Sequence, residues 1–214
     1  IFAVVAFVRD ISLKRAERIV VPSNDMAHYF SSRGVPTEKI TVIENFASGN
    51  IFHQQKNLFS YNIQDKFIIG YAGNLGVAHD VDLFYDLILS FRYNNNITFQ
   101  IYGSGSGIKV LEKRCICQGL SNVTFNGYCE ASEINNVLNS FDFHIVSLKT
   151  NFSKFVYPSK FYNAVKLKSP TIFIGPKSSS MADFINARGI GFNLSEVAQL
   201  QQCIDYVELF CNSS

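Results

Sequence analysis

The sequence predicts an α/β fold with a doubly wound parallel sheet, and three observations carry that prediction. Short apolar runs rich in β-formers recur along the chain; each is followed by a glycine-bearing or polar turn, and each turn opens an amphipathic segment of helical period. The stretch FIIGYAGNLGVAHD, residues 67–80, shows the whole unit: a buried strand, two glycines, then the polar entry to a helix. Strands that alternate with helices need long crossovers, which give parallel, right-handed βαβ units rather than hairpins.

The elements follow in order. Residues 11–17 read as a helix and 18–22 as a short strand, with Ser23 the N-cap of a helix over 25–32. Gly34 closes that helix, Pro36 prevents its continuation, and EKITVIE (38–44) alternates as a second strand. NIFHQQKNLFSYNIQ (50–64) is polar and without sustained period. A strand over 67–71 leads to a helix over 80–93, where Val81, Phe84, Leu87, Ile88 and Phe91 mark one apolar face. A strand over 97–102 leads through GSGSG to a helix over 108–117, and a strand over 123–126 to a helix over 132–139. The strand over 143–148 runs into a long polar loop ending at Tyr157-Pro158-Ser159. A helix over 160–167, a strand over 171–174, a helix over 180–187, a strand over 191–193 and a helix over 196–210 complete the chain.

This order predicts three parts: a unit over 1–50, a linker over 51–64 and an α/β domain over 65–214. Two strands and two helices ahead of the linker are too few to bury a core of their own. They are expected to be the end of a preceding α/β domain, the chain being a fragment of a longer protein. The open sheet edge of that remnant is expected to invite a homodimer or strand exchange.

Composition narrows the function. An apolar fraction of 47% in 214 residues suffices for a real core, and a net charge of +2 gives no reason to expect nucleic acid or a membrane surface as an obligatory partner. Residues 1–8 are apolar but lack a basic leader and a cleavage site and are too few to span a bilayer, so neither a signal peptide nor a transmembrane helix is expected. The five cysteines, Cys115, Cys117, Cys129, Cys203 and Cys211, are odd in number and lack C-x-x-C spacing, which fits a reduced compartment rather than disulfides or structural zinc. Cys115 and Cys117 stand at i and i+2 of a helix and point apart, which argues against a redox pair.

Three turns hold the residues with chemistry. Gly73-Asn74-Leu75-Gly76 is either a tight turn and no more, or a place where a ligand approaches outward-facing amides at the carboxyl end of a buried strand. Gly103-Ser104-Gly105-Ser106-Gly107 follows the next strand; position 108 is Ile, so the third glycine of a dinucleotide fingerprint is misplaced. Tyr157-Pro158-Ser159-Lys160 ends a loop at a helix start, with Ser159 as cap. A cation in a first helical turn opposes the dipole, so Lys160 is either a solvated surface lysine or the neighbour of an anion. His79 and Asp80 are either a surface residue and a dipole-favoured acid, or, for His79, a donor to a phosphate or sugar hydroxyl. No metal spacing, Ser/His/Asp set or G-x-S-x-G elbow can be assembled.

Six blocks, in order and spacing, resemble the family 4 glycosyltransferases of the two-domain, twin-Rossmann type called GT-B: AERIVVPS (16–23), GVPTEKITVIEN (34–45), GYAGNLGVAHD (70–80), IYGSGSGIKVLE (101–112), GLSNVTFNGY (119–128) and VYPSKFYNAVKLKSPTIFIG (156–175). The resemblance implies that 65–214 is the Rossmann-like half holding a nucleotide-sugar donor, and that 1–50 ends the acceptor half. It places Gly73, Asn74, Leu75, Gly76 and His79 against the donor diphosphate or sugar, Gly103, Ser104 and Gly105 along the nucleotide pocket, Gly127 and Tyr128 at the base, and Pro158, Ser159 and Lys160 at the diphosphate. Asn74 and His79 stand where many members carry Arg and Lys, which leaves Lys160 as the cation. The paired glutamates of the family's E-x7-E element fall on Phe155 and Asn163, so neither acid is present, and the chain is similar instead to a subgroup marked by P-S-K-x-Y. That subgroup implies sugar transfer from a nucleoside diphosphate to the hydroxyl of a saccharide or lipid-linked saccharide, with retention, in bacterial capsule and surface-polysaccharide biosynthesis. It further implies no cofactor or bound metal and a cytoplasmic site, peripheral to the inner membrane in the full-length protein. Because the acceptor face is largely missing, the chain alone is expected to bind nucleotide and not turn over. Two alternatives stay open: a nucleotide-sugar epimerase of related build, and a noncatalytic nucleotide-sugar-binding partner.

Overall fold

A computed structural model describes residues 2–45 and 66–213 of the chain. The expected linker over 51–64 lies outside the described residues.

The first part is a parallel pair, β1 (Ile19–Val21) and β2 (Ile40–Val42), with helices α1 (Phe2–Arg15) and α2 (Asn24–Ser32) beside it. Ser23 caps α2 as expected: its hydroxyl accepts the Met26 N–H at 3.3 Å. Ile19, Val21 and Val35 form a small core with partly buried Leu13, Met26 and Phe30.

The second part is a six-stranded, all-parallel sheet. Its elements are β3 (Phe67–Asn74), α3 (Val81–Ser90), β4 (Ile97–Ser104), α4 (Ser106–Cys117), β5 (Val123–Gly127), α5 (Ile134–Ser140), β6 (Phe143–Ser147), α6 (Lys160–Leu167), β7 (Thr171–Ile174), α7 (Ser180–Arg188), β8 (Gly191–Leu194) and α8 (Leu200–Ser213). The strand order is β5-β4-β3-β6-β7-β8, so the chain winds outward from β3 in one direction, then returns to β3's other side and winds outward again. The pleat sends alternate side chains to opposite faces. Ile69 and Tyr71 meet Leu83, Phe84, Leu87 and Ile88 of α3, Leu111 and Cys115 of α4, and Cys203 and Val207 of α8. Ile68 and Ala72 turn the other way, toward Leu138 of α5 and Leu167 of α6, while Phe173 of β7 meets Phe161 of α6 and Met181 and Ile185 of α7. Both faces are covered, which is what near-continuous apolar runs such as FHIVS and TIFI require.

The two parts touch. Asp25 and Ser180 exchange caps at the starts of α2 and α7: the Ser180 N–H donates to the Asp25 carboxylate at 3.0 Å, and the Asp25 N–H to the Ser180 hydroxyl at 3.2 Å. Tyr29 meets Phe155 edge to face at 4.8 Å.

Several boundaries move. The helix expected over 11–17 starts at Phe2, because the apolar residues ahead of it spread around the helix instead of keeping one face, and Val5, Phe7 and Val8 are exposed. The strands expected to stop at Tyr71 and Tyr102 continue to Asn74 and Ser104, paired Gly73 to Gly103 and Asn74 to Ser104, so the first residues of both glycine turns are strand ends. The helix expected from 80 starts at Val81, because Asp80 is its cap, accepting the Leu83 N–H at 3.1 Å. The last helix begins at Leu200 after a 3₁₀ turn, Val197–Gln199, in which the Gln199 side chain accepts the Ser195 N–H. The Cys pair behaves as its spacing required: Cys115 is buried and Cys117 exposed. Among the described residues, no helix is long and apolar enough to cross a membrane.

Candidate functional site

In an open parallel sheet the ligand crevice lies outside the carboxyl ends of the strands, where the winding direction reverses. Here that point is the gap between β3 and β6. The end of β3 supplies Gly73 and Asn74, the end of β4 Gly103 and Ser104, and the loop after β6 leads to the start of α6.

The glycines are needed for close approach. At Gly103, φ is +122°, and a Cβ there would fall 2.0 Å from the Gly73 carbonyl oxygen. The two strand ends therefore lock together. The Leu75 N–H donates to Ser104 O at 2.8 Å, and the Gly107 N–H to Leu75 O at 2.8 Å. This corrects the expectation of a turn whose amides all face outward: the Leu75 amide is engaged and its side chain is fully buried in the core. Gly73 is bare for a different reason, since a Cβ there would lie 1.7 Å from Cε of Lys160. The missing side chain makes room for that lysine to lie across the end of β3.

Lys160 is partly buried, and burial pushes its ammonium below the ordinary lysine range. Among the described residues, no carboxylate pairs with it. Ser159 takes the N-cap position of α6 but departs from the expected capping role: its backbone is already helical and its hydroxyl accepts no helix N–H. Pro158 closes the turn, its carbonyl accepting the Phe161 N–H at 3.3 Å.

A cavity of about 350 Å³ opens beside these groups. Six of the expected residues line it: Gly73, Asn74, Gly103, Ser104, Tyr128 and Lys160. Its far wall is apolar and aromatic, with Ala72 and Tyr102 paired across β3 and β4, and Ile134 and Leu138 one turn apart on α5. Cys129 and Asn163 complete it. Leu75, Gly76, His79, Gly105, Gly127, Pro158 and Ser159 are not in its lining. Gly105, at φ +117°, packs against the Leu75 carbonyl, while Gly127, at φ +68°, has open space where a Cβ would be. Phe155 and Asn163, the positions without glutamate, separate: Asn163 faces the cavity and Phe155 rests on Tyr29.

His79 lies at the β3/β6 gap itself. Its Nδ1 is 2.7 Å from the Ser147 carbonyl oxygen, the next N–H, that of Asp80, donates to the Ser147 hydroxyl at 2.9 Å, and the Lys149 N–H donates to Ala78 O at 2.7 Å. Burial and the nearby Lys160 and Lys149 lower the His79 pKa. These influences favour the neutral ring.

The wall residues Ala72, Tyr102, Ile134 and Leu138 and the buried Ser147 were missed by the motif reading. A signal existed for two of them: Ala72 and Tyr102 each precede a strand-end glycine and so must flank whatever that glycine faces. Nothing comparable marks Ser147, which lies in a run of five buried residues. The arrangement can hold an anion at Lys160 and a planar ring against the tyrosines.

No protein-family model matches the chain, and no curated protein does. Solved structures are similar in fold. HepE from Anabaena in complex with UDP-glucose superposes with a TM-score of 0.71 at 15% identity, covering 94% of this chain and 58% of that one. TarM from S. aureus, in complex with fondaparinux, alpha-GlcNAc-glycerol and UDP, gives 0.70 at 19% identity, covering 93% of this chain and 38% of that one. The C-terminal domain of LpcC, a group 1 glycosyl transferase family protein from Francisella tularensis, gives 0.52 at 19% identity, covering 67% and 75%. The chain spans less than two thirds of the length of HepE and TarM. Its six-stranded parallel sheet has the fold of the C-terminal domain of GT-B glycosyltransferases.

Proposed function

We propose that this chain is the donor-binding part of a glycosyltransferase that moves a sugar from a nucleoside diphosphate to an acceptor hydroxyl. The observation that carries the reading is Lys160: a partly desolvated ammonium with no acid partner among the described residues, laid over Gly73 at the mouth of the switch-point cavity. A desolvated, unpaired cation is costly unless an anion joins it. The donor diphosphate is that anion, and the tyrosine-lined end of the cavity takes the base. That HepE and TarM were solved with UDP or UDP-glucose supports the choice of ligand.

In the proposed reaction the bond from the anomeric carbon to the diphosphate breaks, a bond to the acceptor oxygen forms, and the acceptor hydroxyl's proton passes to the departing diphosphate, with retention. The chain's part is electrostatic: Lys160 stabilises the charge that grows on the leaving diphosphate. The finer proposals follow the family 4 resemblance: a saccharide or lipid-linked saccharide acceptor, surface-polysaccharide assembly, no metal, a cytoplasmic site, a donor domain beginning near residue 65, and a homodimer through the sheet edge of the first part.

The test is calorimetry and thermal shift of the chain against UDP, GDP, CMP and their sugars, with Lys160→Ala alongside. A hydrogen bond to a charged group contributes about 1.5–3 kcal/mol, so the variant is expected to bind roughly ten- to a hundredfold more weakly. Absence of binding to every nucleotide, or unchanged affinity in Lys160→Ala, would overturn the reading.

A further inference from the structure

Where the first part meets the second, three cations gather around one ring. Arg9 Cζ of α1 lies 5.7 Å from the Tyr29 centroid, Arg33 Cζ at the end of α2 lies 6.0 Å from it, and Lys154 Nζ, from the loop between β6 and α6, lies 5.7 Å from it. Phe155, edge-on to Tyr29, has the same ammonium 5.5 Å from its own centroid. Asp10 pairs with both guanidiniums. One of its oxygens takes the Nε and Nη2 donors of Arg9, at 2.9 and 2.7 Å, and the other takes the same two donors of Arg33, the Nε at 2.8 Å. Each guanidinium thus spends two of its five N–H groups on Asp10 and keeps three. Among the described residues, no carboxylate pairs with Lys154. The Arg9 and Arg33 side chains are 38% and 42% exposed, so a partner can reach them.

Like charges this close repel, because screening sets in only over about 8–10 Å at ordinary ionic strength. A single carboxylate offsets one of the three, and it also fixes both guanidiniums in place before any ligand arrives. Pre-ordered forks of this kind match the oxygens of a phosphate or a carboxylate. We propose that this cluster binds the anionic group, phosphate or carboxylate, of the saccharide acceptor, so that the substrate receiving the sugar is an anionic one. The inference deepens the reading above and rests on it. The link to the acceptor is the loop itself. Lys154 and Phe155 belong to the segment that delivers Lys160, and the six residues from Lys154 to Lys160 span at most about 20 Å even when extended. An acceptor hydroxyl has to reach the donor at Lys160, so an anionic group a few sugar units along the same molecule comes within reach of the cluster.

The experiment is calorimetry of the intact chain at low salt with three tetrasaccharides: maltotetraose, tetragalacturonate and a phosphorylated maltotetraose. At least one charged sugar is expected to bind about tenfold or more tightly than the neutral one, and the tighter of the two tells carboxylate from phosphate. Arg33→Gln and Lys154→Gln should each weaken that binding about two- to fivefold, as loss of an exposed ion pair does, and the double variant about tenfold. Lys109→Gln, at an exposed lysine of α4 outside the cluster, should leave it unchanged. Charged sugars that bind no better than maltotetraose overturn the inference, and so does a loss in Lys109→Gln as large as that in Lys154→Gln, which would show a response to net charge alone. Binding to vesicles of phosphatidylglycerol and phosphatidylcholine that depends on Arg33 and Lys154, while no charged sugar binds, also overturns it, because the cluster would then be a membrane contact. Should Arg33→Gln not fold, Lys154→Gln, which breaks no ion pair among the described residues, decides by itself. No binding of any nucleotide removes the proposed function and this inference together, whereas nucleotide binding without preference for charged sugars removes this inference alone.

Discussion

Gly73 and Gly103 are paired across β3 and β4, yet substitution should act on different properties at each. The atoms that a new Cβ would meet at Gly73 are the flexible outer carbons and ammonium of Lys160, which can swing away. At Gly103 they are the carbonyl oxygen and carbon of Gly73, which cannot move without disturbing the ladder. Both backbones have positive φ, +156° at Gly73 and +122° at Gly103, so alanine is strained at each. Gly73→Ala is expected to cost less stability than Gly103→Ala and to weaken nucleotide binding about tenfold or more, as loss of a charged hydrogen bond does. Gly103→Ala adds overpacking to the cost of a left-handed backbone and should destabilise by about 2 kcal/mol or more. Urea denaturation with parallel calorimetry separates the two. Unchanged nucleotide affinity in Gly73→Ala would mean that Lys160 does not occupy the space above Gly73 in solution. At this scale the site was legible where glycine and charge mark it, at Gly73, Gly103 and Lys160. It was not legible where ordinary apolar residues form the wall, because Ile134 and Leu138 carry the same pattern as any core-facing helix positions.

Among the elements, α3 shows how one residue ties the site to the sheet. Asp80 caps α3 through Leu83 N–H, while its own N–H is held by the Ser147 hydroxyl of β6. Asp80→Ala removes the cap and leaves the second bond, so the expected loss is about 1 kcal/mol, read as a lower urea midpoint at unchanged slope. A change in slope would mean that the β3–α3 loop loosens as a whole. The capping carboxylate also occupies the amino end of α3. Most elements were legible because their periods agree with their surroundings: α6 and β7 fall on the expected residues, with Phe161, Ala164 and Leu167 buried where the helical repeat puts them. The exceptions have physical causes. The N-terminal part of α1 has no consistent apolar face, and the strand ends at Gly73 and Gly103 carry turn-like residues in a paired ladder.

In the whole molecule, the large sheet is closed on both faces while the small one is not. Helices α1 and α2 cover one side of the β1–β2 pair, burying Ile19 and Val21, and the cap exchange between Asp25 and Ser180 fixes this part to α7. The opposite side shows Val20 at 61% and Ile43 at 56% exposure, and among the described residues no strand extends either edge of the pair. An unpaired edge beside exposed apolar residues is a template for another strand, and a second copy of the chain presents the same surface. Light scattering is therefore expected to give a mass that rises with concentration from 24.1 kDa toward twice that value. Val20→Asp should return it to the monomer, since a charge on that face would have to be buried without a partner, while nucleotide affinity stays unchanged because Val20 is not among the residues that line the switch-point cavity. A mass that stays at 24.1 kDa up to the solubility limit would rule out the dimer. A dimer that persists in Val20→Asp would move the interface elsewhere, with Phe7 and Val8 of α1 the next exposed apolar pair to substitute.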